Sequence, residues 1–346
     1  MKTAIGLVRF VVFRTLIGAA DVLPRPWLVA AARRLAWIET FCTARGRSAV
    51  SEGRDVLGMS PGQARSTAVA WISRPLIDLV DVRRIARRKE DFTKWTVEER
   101  NAGPIKALVE SGRGFVLAGG HFSGGIGMAK LYPQVMGATA VMNPPEPWKL
   151  DGDILIRRLM KLTTRDLIEV IRPGQVQVRE VGVHDAFADM LEAQKQPGGV
   201  ASLAIDAPWA KPNAIYRPFA GMRHRAFATG AARLSRLSQV PVVLWVPERV
   251  GDRHCIVHWG TVREPAPMDR ADLDEEVMGE LISELEPWVG RLRHQYPHPV
   301  GWERRWNRAA DRWEERPPVA AGVTAHGRSV AAAQSSSADA HQPQKP

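Results

Sequence analysis

Only two cysteines, Cys42 and Cys255, occur in 346 residues. Neither a disulfide framework nor a zinc-ligand spacing can be built from them, and a reducing compartment is the expectation. No run of 18 or more uncharged apolar residues occurs, which argues against a simple transmembrane helix. The nearest approach, Met1 to Ala20, is interrupted by Arg9 and Arg14, and the same charges argue against a cleaved signal peptide. No internal repeat is found. Acidic residues are in deficit: 37 Asp and Glu stand against 48 Lys and Arg, giving a net charge of +11. Acidic partners follow from that balance, whether nucleic acid, anionic lipid or phosphorylated small molecules. No nucleic-acid motif accompanies the basic residues, so nucleic acid is set aside.

What is present suffices for a large core, since 45% of the residues are hydrophobic. The first 20 residues read as an amphipathic, interfacial helix. Ile5, Val8, Val12 and Leu16 fall near helical spacing, and Lys2, Arg9 and Arg14 can reach lipid phosphates. A core helix is the alternative. Trp27 to Phe41 reads as a second helix. Ser60 is the expected N-cap of a third, with Pro61 at its first position, running from Gly62 towards Leu79 with a break or kink at Pro75. Glu90 to Arg100 reads as a charged connector into a helix over Asn101 to Ser111, closed by Gly112. Strands are expected at Gly114–Ala118, Thr139–Met142, Leu167–Ile171, Val200–Ile205, Val240–Val246 and Cys255–Trp259. Helices are expected at Asp185–Gln194, at Phe227–Ser238 and from Asp272 onwards. This alternation predicts an α/β fold, a largely parallel central sheet flanked by helices, with an N-terminal helical subdomain and a C-terminal helical segment. The boundaries read as one domain over 1–316, with a helical membrane-facing part over 1–100, an α/β core over 101–265 and C-terminal helices over 266–316. The composition of 317–346, rich in Ala, Ser, Gln, His and Pro, predicts a disordered tail.

The most informative segment is Phe115-Val116-Leu117-Ala118-Gly119-Gly120-His121-Phe122-Ser123-Gly124-Gly125. An apolar run ending in glycines reads as a buried strand entering a tight turn, which would hold His121 at the rim of a sheet. A neutral histidine there can take a proton from a hydroxyl or an amine. A purely structural histidine is the alternative. The same residues fall one glycine short of a nucleophile elbow, with His121 in place of the first glycine. That leaves a rival: a serine hydrolase using Ser123, Asp206 and a later His254 or His258.

Four ordered blocks resemble the lysophospholipid acyltransferase family, in particular the bacterial branch of late lipid A and phosphatidylinositol mannoside acyltransferases. They are Gly119 to Gly125; Val200 to Asp206; Tyr216-Arg217-Pro218-Phe219-Ala220-Gly221 followed by Phe227 to Leu234; and Tyr296-Pro297 with Trp302-Glu303-Arg304-Arg305-Trp306. The resemblance spans about residues 25 to 316. It implies a histidine, here His121, that deprotonates an acceptor hydroxyl, which then attacks the thioester of an acyl carrier. The family places an acidic residue five positions after the histidine; here that position holds Ile126, which cannot orient an imidazole. A backbone carbonyl or a distant carboxylate is the expected substitute. Asp206 at a strand end is preferred, ahead of Glu180 and Asp185. Loss of catalysis, leaving a lipid-binding homologue, is one alternative; an acceptor that needs less help is another. Asp206 also reads as a simple cap or turn former.

Substrate-binding candidates are Ser123, Arg157, Arg158, Arg217, Phe219 and Gly221. The resemblance implies an arginine near the site in the stretch holding Arg157 and Arg158, beside Lys161 and Arg165. Arg217, Arg223, His224 and Arg225 beside Phe219 suit a phosphopantetheine arm or an acidic carrier protein, and equally a solvated loop. Trp302, Trp306 and Trp313, flanked by Arg305, Arg308 and Arg312, read as one helical face suited to a lipid headgroup region or to packing on the domain. The expected function is a membrane-associated acyltransferase on the cytoplasmic face of the bacterial inner membrane, peripheral or interfacial. Its acceptor would be a lipid or glycolipid hydroxyl or amine, and its co-substrate acyl-CoA or acyl-carrier protein. No metal or bound cofactor is expected.

Overall fold

The computed structural model describes residues 2–55, 57–123, 127, 130–131, 140–142, 165–166, 169–170, 186–206, 214–220, 222–296, 304–307 and 312–315. The chain divides into two compact units, residues 1–302 and 303–346.

The first unit begins with four helices, α1 (Lys2–Ala19), α2 (Arg25–Cys42), α3 (Ala44–Asp55) and α4 (Pro61–Ala86). No helix among the described residues is long and apolar enough to cross a membrane. The start of α4 is a capping box: the Ser60 hydroxyl accepts from the Gln63 N–H, and the Gln63 side chain accepts from the Ser60 N–H. The helix runs through Pro75 to Ala86 instead of ending near Leu79. An interior proline costs about 3 kcal/mol. On either side of Pro75 the chain buries Trp71, Ile72, Leu76, Ile77 and Val80, and each such side chain returns about 1.5–3 kcal/mol, enough to carry the helix across. The second half of α1 turns Leu16, Ile17 and Ala20 inward; Leu16 and Ala20 pack with Leu28, Leu76, Ile77 and Val80.

A six-stranded sheet follows: β1 (Thr96–Arg100), β2 (Phe115–Gly119), β3 (Ala140–Met142), β4 (Val200–Ala204), β7 (Val242–Arg249) and β8 (His254–Arg263). Its order is β1-β8-β7-β2-β4-β3, with every pairing parallel except β7 with β8. Further helices are α5 (Gly103–Glu110), α6 (Ala186–Gln194), α7 (Gly230–Ser238) and α8 (Asp274–Arg291). One sheet face buries Val116, Ala118, Val242 and Leu244 with residues of α7 and α8; the other buries Phe115, Leu117, Val243 and Val257 with residues of α4 and α5. The architecture is therefore α/β with a mostly parallel central sheet flanked by helices.

Several expectations are corrected. Residues 96–100, expected as connector, form the edge strand β1, paired on one side only; an edge strand needs little apolar alternation, and charged residues there blunt the edge. Residues 169 and 170, within an expected strand, are helical, and Asp166, just before that segment, accepts from the Arg83 guanidinium of α4 at 3.1 Å. Phe227 and Ala228, expected to open a helix, end β6 (Met222–Ala228), which pairs antiparallel with β5 (Ala214–Phe219); α7 starts only at Gly230. The buried Phe227 packs edge-on against Phe219, with ring centroids 4.9 Å apart, and such an aromatic pair favours the hairpin.

In the second unit, β9 (Arg304–Asn307) and β10 (Arg312–Glu315) are antiparallel, and Trp306 opposes Trp313 in register. The expected helical tryptophan face is thus a hairpin. A spacing of seven fits both a helix face and two residues facing each other across a turn, and tryptophan prefers strands. Trp302, Arg308, and the expected tail over 317–346 lie outside the described residues.

Candidate active site

The site grows from strand register. β2 and β4 lie side by side and parallel, with Gly119 opposite Ala204, and the Ile205 N–H donates to the Gly119 carbonyl at 2.9 Å. His121 and Asp206 each stand two residues beyond those partners. The register therefore brings both to the same carboxyl edge of the sheet, where open α/β sheets bind their ligands. The two glycines of the turn are needed for packing. A Cβ on Gly119 would lie 2.5 Å from the Trp245 ring, and one on Gly120 would lie 2.8 Å from the Phe122 ring. Gly119→Ala is expected to destabilise the protein by about 1–3 kcal/mol through overpacking, measured by urea unfolding. Stability equal to wild type would mean that the indole moves aside freely.

The Asp206 carboxylate takes hold of His121 twice. Its Oδ1 lies 2.6 Å from Nδ1 of the ring, and its Oδ2 accepts from the His121 backbone N–H at 2.8 Å. Asp206 is fully buried, whereas the His121 side chain is 42% exposed. A buried carboxylate beside Nδ1 assigns the proton to that nitrogen, which directs Nε2 to the role of base. It also gives an imidazolium a counter-charge once the proton is taken. The turn continues with the Ser123 N–H donating to the Gln295 carbonyl at 2.8 Å and with Phe122 packed on Tyr296, ring centroids 4.8 Å apart.

Of the other sequence candidates, Ser123 is buried beside His121 in the same turn. Arg217 lies on the β5–β6 hairpin, and its guanidinium donates to the Gly279 carbonyl of α8 at 3.1 Å. Phe219 is buried in the core against Phe227. Arg223, His224 and Arg225 lie on β6. Arg157, Arg158, Lys161 and Gly221 lie outside the described residues, as do Ile126, Glu180 and Asp185. The rival hydrolase set is not brought together: Asp206 is engaged by His121, while His254 lies 2.9 Å from Glu98 and His258 lies 2.8 Å from Glu248.

No family model matches this chain, and no curated protein matches it. Among solved structures it is similar to the crystal structure of the 1-acyl-sn-glycerophosphate acyltransferase PlsC from Thermotoga maritima. That likeness covers 83% of this chain and 99% of that one, at 12% identity and a TM-score of 0.30. A likeness so distant decides nothing about activity, which must be argued from the residues.

Residues without a sequence signal complete the site's support. Arg249, at the end of β7, donates to Asp78 at 2.8 Å and to Asp81 at 2.6 Å, and Arg25 at the start of α2 donates to the same Asp81 at 2.6 Å. The Gln295 side chain accepts from the Arg249 N–H at 2.7 Å and donates to the Arg249 carbonyl at 3.1 Å. Nothing in their local sequence marks these as partners, because the contacts join segments more than 40 residues apart.

Proposed function

We propose that the protein is a membrane-associated acyltransferase that moves a fatty acyl chain from acyl-CoA or acyl-carrier protein to a hydroxyl or amine of a lipid or glycolipid. The observation that carries this reading is the His121–Asp206 pair at the carboxyl edge of β2 and β4. In the proposed reaction His121 Nε2 takes the acceptor proton while the acceptor oxygen or nitrogen attacks the thioester carbonyl. The carbonyl π bond opens to an oxyanion. As it re-forms, the carbon–sulfur bond breaks and the thiolate leaves with the proton returned by His121. Asp206 holds the ring and balances its charge between the two transfers.

The test compares lipid extracts, by mass spectrometry, from cells carrying wild type or His121→Ala. One acylated species is expected to vanish in the variant; identical extracts would overturn the reading. Fluorophosphonate labelling that disappears in Ser123→Ala would favour the hydrolase instead.

Association with an anionic bilayer is supported by the outer face of α2. Trp27, Trp37, Ile38 and Phe41 are 71%, 51%, 47% and 41% exposed and share one helical face with Arg34, opposite the buried Leu28, Val29, Ala32 and Ala36. Val22 and Leu23, also exposed, extend the patch at the preceding turn. Tryptophan with arginine suits the headgroup region. This moves the proposed membrane contact from α1, whose second half packs inward, to α2. Trp27→Ser with Trp37→Ser is expected to weaken partitioning onto vesicles containing anionic lipid by about ten-fold or more without lowering the melting temperature. Unchanged sedimentation would remove α2 from the contact.

A further inference from the structure

We propose that Arg74, with His294 beside it, forms a phosphate-binding subsite on the rim next to His121. Trp71, Arg74 and Asp78 share one face of α4, three and four residues apart. Both neighbours of Arg74 on that face are anchored. The Trp71 indole N–H donates to the Arg293 carbonyl at 2.6 Å, and Asp78 accepts from Arg249 at 2.8 Å. Arg74 therefore faces the short segment 293–296. The next residues of that segment hold the catalytic turn, through Gln295 to Ser123 and Tyr296 to Phe122. Arg74 thus stands beside the segment that braces the turn of His121, and His294 belongs to that segment.

The charges around them leave Arg74 without a dedicated acceptor. Four arginines, Arg25, Arg33, Arg74 and Arg249, gather around three aspartates. Asp81 is bound to Arg25 and Arg249, Asp78 to Arg249, and Asp252 to Arg25. Among the described residues none accepts a hydrogen bond from Arg74. Burial holds its guanidinium below the usual range; Asp78 and Asp252 pull the other way, and Arg249 and Arg33 add to the lowering. His294 is held below the ordinary histidine value by burial and by Arg74, against Glu248, which itself pairs with His258. His294 Nε2 lies 3.3 Å from the side-chain nitrogen of Gln295. An entering phosphate would give the guanidinium two-point acceptance and would add negative charge beside the imidazole.

The subsite deepens the acyl-transfer reading and takes its place in the reaction from it. The phosphate would belong either to the acceptor headgroup or to the acyl carrier. The test is a binding measurement, so it does not depend on turnover. The full chain is titrated at constant ionic strength with inorganic phosphate, glycerol 3-phosphate or coenzyme A while the His294 ring is followed by NMR, assigned with His294→Gln. Saturating phosphate is expected to raise the His294 pKa by about one unit, and Arg74→Gln to weaken that response about ten-fold, Arg74→Lys less so. Tighter response to glycerol 3-phosphate assigns the acceptor; tighter response to coenzyme A assigns the donor. No response of His294 to any of the three overturns the subsite, as does a folded Arg74→Gln variant that responds like wild type. If Arg74→Gln does not fold, the wild-type titration alone decides. A protein inactive in acyl transfer whose His294 still responds keeps the subsite and loses only the reaction.

Discussion

Changing Asp206 to asparagine is expected to lower acyl transfer by about 10³–10⁴-fold while leaving the fold intact. The estimate follows from what the equivalent change does in a Ser-His-Asp triad, about 10⁴-fold through the wrong tautomer. Here the reasoning is local. The Asp206 carboxylate accepts from His121 at two points, ring and backbone. Asparagine keeps the shape and one acceptor oxygen but can present an N–H towards Nδ1. That would make Nδ1 the acceptor, move the ring proton to Nε2, and leave no base facing substrate. It also removes the negative charge that offsets the imidazolium. His121→Ala removes the base itself and should lower the rate by about 10²–10⁴-fold. Single-turnover assays with saturating acyl donor check both. An Asp206→Asn protein that turns over at the wild-type rate would sink the assignment of Asp206, and with it the explanation of how this chain manages with Ile126 where the family places an acidic residue.

The second large effect is on stability. Asp81 is fully buried and bridges Arg25 of α2 to Arg249 of β7, tying the N-terminal helices to the end of a sheet strand. Asp81→Ala leaves both guanidiniums buried and short of a carboxylate. Breaking a buried pair in this way costs about 3–5 kcal/mol. Because Arg25 keeps Asp252 and Arg249 keeps Asp78, the lower end of that range applies. The melting temperature should fall by roughly 6–12 °C, using about 2–4 °C per kcal/mol. An unchanged melting temperature would mean that water reaches the bridge, so that its charges were never desolvated.

How much of this was legible in the sequence can be argued residue by residue. The runs at 115–119, 200–204 and 242–246 are apolar enough to declare themselves strands, and their alternation with helices gives the α/β class. His121 and Asp206 stood out because each follows such a run. What a single sequence does not carry is register. Only the pairing of Gly119 with Ala204 puts the two residues at one height. Edge strand β1 has no such apolar signature, because an edge has only one partner and tolerates charge. Phe227, Ala231 and Leu234 fall at helical spacing, which extends the expected helix back to Phe227, although Phe227 belongs to the strand before the turn. The α4 face that carries Arg74, and the Gln295 clamp on Arg249, depend on contacts between distant segments and have no local signature.

The place of β2 in the sheet has a consequence for how the site comes into being on the ribosome. β2 is flanked by β4 on one side and β7 on the other, and His121 and Asp206 are separated by 85 positions. A chain synthesised only as far as Asp206 can form the dyad, but one side of β2 is then an open edge, a buried apolar strand waiting for residues 242–249. Trp245, whose ring packs against Gly119 at the end of β2, arrives with β7. The dyad can therefore assemble before the strand that carries His121 is packed on both sides, and the exposed flank of β2 in that interval is the segment a growing chain must keep from pairing with a neighbour.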